Sequence, residues 1–167
     1  MASYITPEDF VGPFKRPSDQ YSKVITQDYI DRLEGALIRR IFGAEMGNEV
    51  LLYVTSSEIP APVDVLLNAI VNPIYEDVDG RSIEYAGLKD TLLGFLWYEI
   101  TVRTSKKPSM AGGSVAVKAE VSDKTYADPE IYCEAVRQVR AVQQYVLANS
   151  ADYPNFRGKY FEMTWMI

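Results

Sequence analysis

From residue 27 onward the apolar positions keep a helical rhythm: Ile30, Leu33, Leu37, Ile38 and Ile41 recur at spacings of three and four, which puts them on one side of an amphipathic helix. Thr26, just ahead of them, is a residue type that caps such a helix. Gly43 and Gly47 weaken the pattern beyond it, and Asn48 to Thr55 fits either a short second helix or a strand. Pro60 and Pro62 mark a turn, and Pro62 suits the first turn of a short helix carrying Val65, Leu66 and Ile70.

The rhythm then changes to two. In the run from Asn72 to Tyr85 the dipeptide Asp79-Gly80 is a strong signal for a two-residue hairpin turn. Pairing across it sets Val78 opposite Arg81, Glu76 opposite Ile83 and Ile74 opposite Tyr85. Tyr75, Asp77, Ser82 and Glu84 take the other, polar face. Gly87 opens a helix through about Val102 in which Leu88, Leu92, Leu93, Phe95, Leu96, Trp97, Tyr98 and Ile100 are apolar nearly all round. Such a helix belongs at the centre of the fold or against another subunit.

Residues 103–126 break the helical pattern with Pro108, Gly112 and Gly113, over a length that compact domains seldom use for a plain connection. Val115, Val117, Ala119 and Val121 alternate with Ala116, Lys118 and Glu120, so a functional arm with a short strand is expected. Asp128, Pro129 and Glu130 read as N-cap, first helical position and acidic first turn. The helix they start carries Tyr132, Ala135, Val136, Val139, Val142 and Val146 on one side and ends near Asn149. Past Pro154 and Gly158, Phe161, Met163, Trp165 and Ile167 alternate with Tyr160, Glu162, Thr164 and Met166, as in a strand. At the other end, residues 1–25 scatter Phe10, Phe14 and Tyr21 among Pro7, Gly12, Pro13 and Pro17, which reads as an extended arm whose aromatics need cover, or as a disordered terminus. The expected fold is mainly α: a small helical bundle with a β-hairpin at about 73–86, an extended inter-helix arm and extended termini. It divides into an N-terminal arm, 1–25, a helical domain, 26–150, and a C-terminal tail, 151–167.

Composition narrows the chemistry. The chain has 167 residues, 47% of them hydrophobic, enough for one domain that buries roughly 70% of its unfolded surface. It contains no histidine, which excludes Ser-His-Asp and Cys-His nucleophile pairs, His-bearing zinc sites and the usual proton shuttle near neutral pH. The single cysteine, Cys133, makes no internal disulfide and no four-cysteine metal site, and a reducing compartment is expected. The first ten residues hold two acids and no basic leader, unlike a signal peptide. The apolar run Leu92 to Val102 is too short for a bilayer span of about 20 residues. Net charge is −6, but residues 103–126 carry +3 through Arg103, Lys106, Lys107, Lys118 and Lys124, leaving −9 on the rest. The acidic balance argues against general attraction to nucleic acid or an anionic membrane, while a local basic patch can still contact either.

Candidate chemistry thins out on inspection. Placing Gly80 at the glycine position of a calcium loop puts Tyr75 and Ala86 at the two end positions that need ligands, so the hairpin reading prevails. Asp77 with Glu84, or Glu76 with Glu84, are carboxylate pairs of the kind common on exposed strands. Gly112-Gly113-Ser114 lacks the lysine of a phosphate-binding loop. Cys133 reads as a small core residue, and Lys106-Lys107 as solvated loop charges or as contacts to a partner.

Leu66-Leu67-Asn68, Tyr75, Gly80, and Tyr85-Ala86-Gly87-Leu88-Lys89 leading into the aromatic helix Leu92 to Glu99, followed by a glycine-containing arm and a final helix, resemble the head-to-tail connector proteins of tailed bacteriophages, also called adaptor or head-completion proteins. The resemblance covers roughly residues 26–150. It implies a structural virion protein in the neck: a ring beneath the portal, commonly of twelve copies, sending arms to neighbours and to the tail-side ring while DNA passes. It carries over no catalytic residue, no cofactor and no metal. The expected partners are further copies of the chain, the portal protein, tail-side neck proteins and, transiently and without sequence preference, the passing DNA; no membrane is involved. Assembly in the host cytoplasm would precede incorporation into the virion. The interface residues expected are Lys106, Lys107, Val115, Val117 and Lys118 in the arm and Phe161, Met163, Trp165 and Ile167 in the tail. An acidic body suits a channel that must not trap phosphates. Two other readings stand beside it: a non-catalytic adaptor outside the virion, and a histidine-free enzyme working through carboxylates.

Overall fold

The apolar stripe of the first helix becomes α1, Gln27–Phe42, in which Ile30, Ile38, Ile41 and Phe42 are fully buried. The computed structural model describes residues 3–14, 26–56, 61–78, 80–105 and 129–158. Gly43 ends α1, donating its N–H to the Arg39 carbonyl, and the next residues open α2, Ala44–Thr55, which resolves the helix-or-strand alternative as helix. Gly47 sits inside α2 for a steric reason: a Cβ there would lie 2.7 Å from the Arg39 Cα. Glycine lets the two helices touch backbone to backbone, and that contact outweighs its poor helix propensity.

The turn region leads to α3, Ala61–Val71. Its core positions are Leu67 and Ile70, while Val65 is 69% exposed on the opposite side of this short helix. The hairpin follows, β1, Ile74–Val78, and β2, Arg81–Tyr85, antiparallel in the expected register with Ile74 opposite Tyr85 and Val78 opposite Arg81. Gly80 turns at φ +73°, a conformation that glycine adopts without cost. Ile74, Ile83 and Tyr85 face the core and Tyr75 faces solvent, as the alternation requires.

Two long helices complete the body, α4, Leu88–Ser105, and α5, Pro129–Ala148. α4 is the central helix. Leu88, Leu92, Leu93, Phe95, Leu96, Trp97 and Ile100 are all buried within the chain itself, so its all-round apolar character is satisfied by its own fold. α5 runs antiparallel to α4 and buries Ala135, Val136, Val139, Val142 and Val146 against α4 and the hairpin. The mainly helical bundle with a hairpin is therefore the observed architecture.

Both ends of the described chain fold back onto this body. Residues 3–14, within the segment expected as an extended arm, make two short 3-10 turns, Pro7–Asp9 and Gly12–Phe14. They bury Ile5 and Phe10, so the chain's own core covers the aromatic at position 10. After α5, Tyr153 is buried and its hydroxyl donates to the Leu66 carbonyl oxygen at 3.0 Å. The Arg157 N–H donates to the Phe42 carbonyl oxygen at 3.0 Å, laying the chain across the α1–α2 corner.

Candidate interaction surfaces

The arm residues Lys106, Lys107, Val115, Val117 and Lys118 and the tail residues Phe161, Met163, Trp165 and Ile167 lie outside the described residues. What the structure fixes is where these segments begin. Residues 103–105, expected as the start of the arm, are the last residues of α4, because the helix continues past Val102, and α4 and α5 are packed together near that end. Tyr132 in the first turns of α5 meets Phe95 edge-on at 5.5 Å and Tyr98 at 4.8 Å between ring centroids. Cys133, half-buried beside them, is a free thiol in that packing. The tail departs from Gly158, whose neighbour Arg157 is pinned to Phe42. Arm and tail thus leave from separately anchored points of the body.

The residues weighed for chemistry are spread out. Asp77 and Glu84 share the exposed face of the hairpin on a diagonal, since Tyr75 pairs with Glu84 and Asp77 with Ser82; Glu76, opposite Ile83, takes the other face. Among the described residues no group of three or more acidic or cysteine side chains is placed to hold a metal ion. A groove of about 200 Å³ opens between α2, α3 and the C-terminal turn, lined by Met46, Glu49, Leu66, Leu67, Asp152 and Tyr153 among others. It is smaller than the roughly 300–1,000 Å³ of small-molecule sites. No helix among the described residues is long and apolar enough to cross a membrane.

The most elaborate polar assembly is one the sequence pattern did not single out. Glu34 is 3% exposed, and its Oε2 accepts the Ile5 N–H at 3.0 Å. The Gln27 amide donates to the Ile5 carbonyl oxygen at 2.9 Å and to Asp31 Oδ1 at 2.8 Å; Ser3 Oγ donates to the same Asp31 oxygen at 2.7 Å. One turn later Asp9 accepts from the Thr6 N–H at 2.9 Å and pairs with Lys89 of α4 at 2.7 Å. The Lys89 ammonium also lies 5.8 Å from the centre of the Tyr4 ring. Side chains of α1 therefore hold both the N–H and the C=O of Ile5, while its side chain fills the core.

Electrostatics follow this geometry. Burial pushes the Glu34 carboxyl above the ordinary glutamate value of 4.5, against the opposing pull of the Ile5 and Tyr4 N–H groups. Burial also works against Asp9, yet the hydrogen bond and charge of Lys89, with the Thr6 N–H, hold it below the ordinary value of 3.8. Tyr4, between Glu34, Asp90 and Asp9, is pushed up to about 12, mainly by burial. A signal for this assembly does exist in the sequence: Glu34 occupies the position between Ile30 and Ile38 at spacings of four, an acid inside the apolar stripe. Nothing in the local pattern says which group would satisfy it. No protein-family model, curated protein or solved structure matches this chain.

Proposed function

We propose that the chain is a non-catalytic structural subunit of a tailed-phage neck, forming a ring that joins the portal to the tail and lets DNA pass. The observation that carries this reading is the α4–α5 pair. Two antiparallel helices, locked by the Tyr132 contacts with Phe95 and Tyr98, lead into and out of a segment that inverts the charge of the molecule. A body of −9 bearing a +3 segment on a fixed root is self-complementary: the segment of one copy is attracted to the body of the next. Repetition of such a head-to-tail contact closes into a ring when the rotation between copies allows. The acidic remainder suits a DNA channel, because fewer fixed cations are left to hold phosphates. On this reading Lys106, Lys107 and Lys118 contact a neighbouring copy, the portal or, transiently, DNA, and Phe161, Met163, Trp165 and Ile167 cover apolar surface on a neck partner.

Native mass spectrometry and negative-stain electron microscopy of the full chain, alone and mixed with purified tailed-phage portal protein, test the proposal. Closed high-order rings, or a stoichiometric complex with the portal, are expected. Charge reversal at Lys106, Lys107 and Lys118 should weaken assembly and leave the thermal unfolding of the body unchanged. A chain that stays monomeric at every concentration and ignores the portal overturns the reading.

A further inference from the structure

The groove between α2, α3 and the turn after α5 is framed by hydrogen bonds that tie each wall to the next. Tyr53 of α2 donates its hydroxyl to Asn68 Oδ1 of α3 at 3.0 Å. The Tyr153 hydroxyl ties the turn to α3 at the Leu66 carbonyl oxygen, and the Asn155 amide ties it to α2 by donating to Glu49 Oε1 at 3.3 Å. The walls are therefore in place before anything enters, which lowers the cost of binding.

Met46 and Leu67 are buried, Asp152 is exposed and Glu49 half-buried, so apolar surface lies deep and charge lies toward solvent. Both charged groups of the lining are acids, and neither pairs with a lysine or arginine among the described residues. The nearby Tyr145, its ring 6.4 Å from that of Tyr153, senses the same field: burial and then the Glu76 carboxylate push its phenol up, with Asp152 adding to the push. Apolar depth under uncompensated carboxylates matches one kind of side chain, a long methylene stem that packs on apolar surface and keeps a cation in water. At about 200 Å³ the groove is below small-molecule size and suits one such side chain. Its two carboxylates come from different elements, which favours the compact, rotatable ammonium of lysine over the planar fork of arginine. Pro154 and Asn155 beside it are exposed, leaving room for the backbone that carries the lysine.

We propose that this groove docks a lysine side chain presented by a partner protein, with the stem along Met46, Leu66 and Leu67 and the ammonium at Glu49 and Asp152. The site belongs to a single chain and is independent of the ring proposed above.

The test titrates Nα-acetyl-lysine N-methylamide into the full chain at low ionic strength, where charge acts at longest range, and follows the methyl NMR signals of Met46, Leu66 and Leu67. Saturable shifts with a millimolar dissociation constant are expected. Glu49→Gln/Asp152→Asn keeps the side-chain shapes and should weaken binding roughly three- to tenfold, with methyl signals elsewhere unmoved to show that it is folded. Nα-acetyl-norleucine N-methylamide, which has the stem without the charge, should bind the unaltered chain more weakly by a similar factor. Equal binding of both probes, or undiminished lysine binding by the double variant, overturns the charge pairing. Absence of saturable shifts at all of these methyls overturns the site. Butane-1,4-diamine binding about tenfold or more tightly than the blocked lysine would overturn the partner protein as its source, in favour of a free diamine. The ring, read from mass and images, stands or falls separately.

Discussion

The α4–α5 pair and the N-terminal strap, residues 3–14, are held to the same core by opposite means. Between α4 and α5 the contact is apolar and close: Gly94 lies against Ala135, where an added Cβ would meet the alanine methyl at 3.0 Å, and Leu96 and Val136 are wholly buried. The strap buries Ile5 and Phe10, rests Tyr4 and Phe14 against the edge of the core, and is fixed besides by a buried carboxylate, an amide and an ion pair. Apolar burial is strong and non-directional, whereas hydrogen bonds and ion pairs contribute less net energy each and hold one donor to one acceptor. The helix pair is therefore expected to supply most of the stability, and the strap to open at lower cost than the helices.

The largest effect that separates them belongs to the helix pair. Leu96→Ala should lower global stability by about 2–5 kcal/mol, seen as a reduced urea midpoint, because the close packing leaves little room to collapse around the cavity. A loss below about 1 kcal/mol would break the comparison by showing that α4 is not the stabilising centre. Next comes Glu34→Ala, which strands the Ile5 N–H in the core and should cost about 1–3 kcal/mol. Hydrogen exchange at Ile5 should accelerate well before exchange in α4; equal acceleration in both would mean the strap does not open separately.

The turn of the hairpin gives an intermediate case, because at Gly80 a backbone dihedral is at stake and no side-chain contact. Nothing lies within 4 Å of a Cβ placed on Gly80, so Gly80→Val should cost about 1–2 kcal/mol through its φ of +73° alone. Gly80→Asn, which tolerates that region, should recover most of the loss. Equal stability of both variants would show that the turn does not constrain the hairpin.

The smallest effect is at Asp9, whose partner Lys89 is partly exposed, so Asp9→Asn should cost less than about 1 kcal/mol at neutral pH. Its pH signature is sharper than its size. A carboxyl held below 3.8 contributes stability that is present above that value and lost as pH falls through the lowered one. Glu34 has the opposite sign. Its raised carboxyl takes up a proton in the folded state first, so the cost of burying its charge disappears as pH falls through the raised value toward 4.5. Urea midpoints against pH should thus show a gain above 4.5 that Glu34→Gln removes, and a loss below 3.8 that Asp9→Asn reduces.

The sequence by itself determined the elements whose signal is local. The i, i+3, i+4 stripe of α1, the Asp79-Gly80 turn with its register, the all-round apolar α4 and the proline-led start of α5 each need only a few neighbouring residues to be specified. Tertiary structure decided what depended on distant partners. Gly47 reads as a helix breaker until the Arg39 backbone is placed beside it, and residues 44–55 are then helical. Residues 3–14 show no periodicity because their structure is imposed from outside, by Glu34, Gln27 and Lys89 on two helices. Glu34 was visible as an acid in an apolar stripe, but the groups that satisfy it lie 29 residues away in the chain, a distance over which no pattern in the sequence carries register.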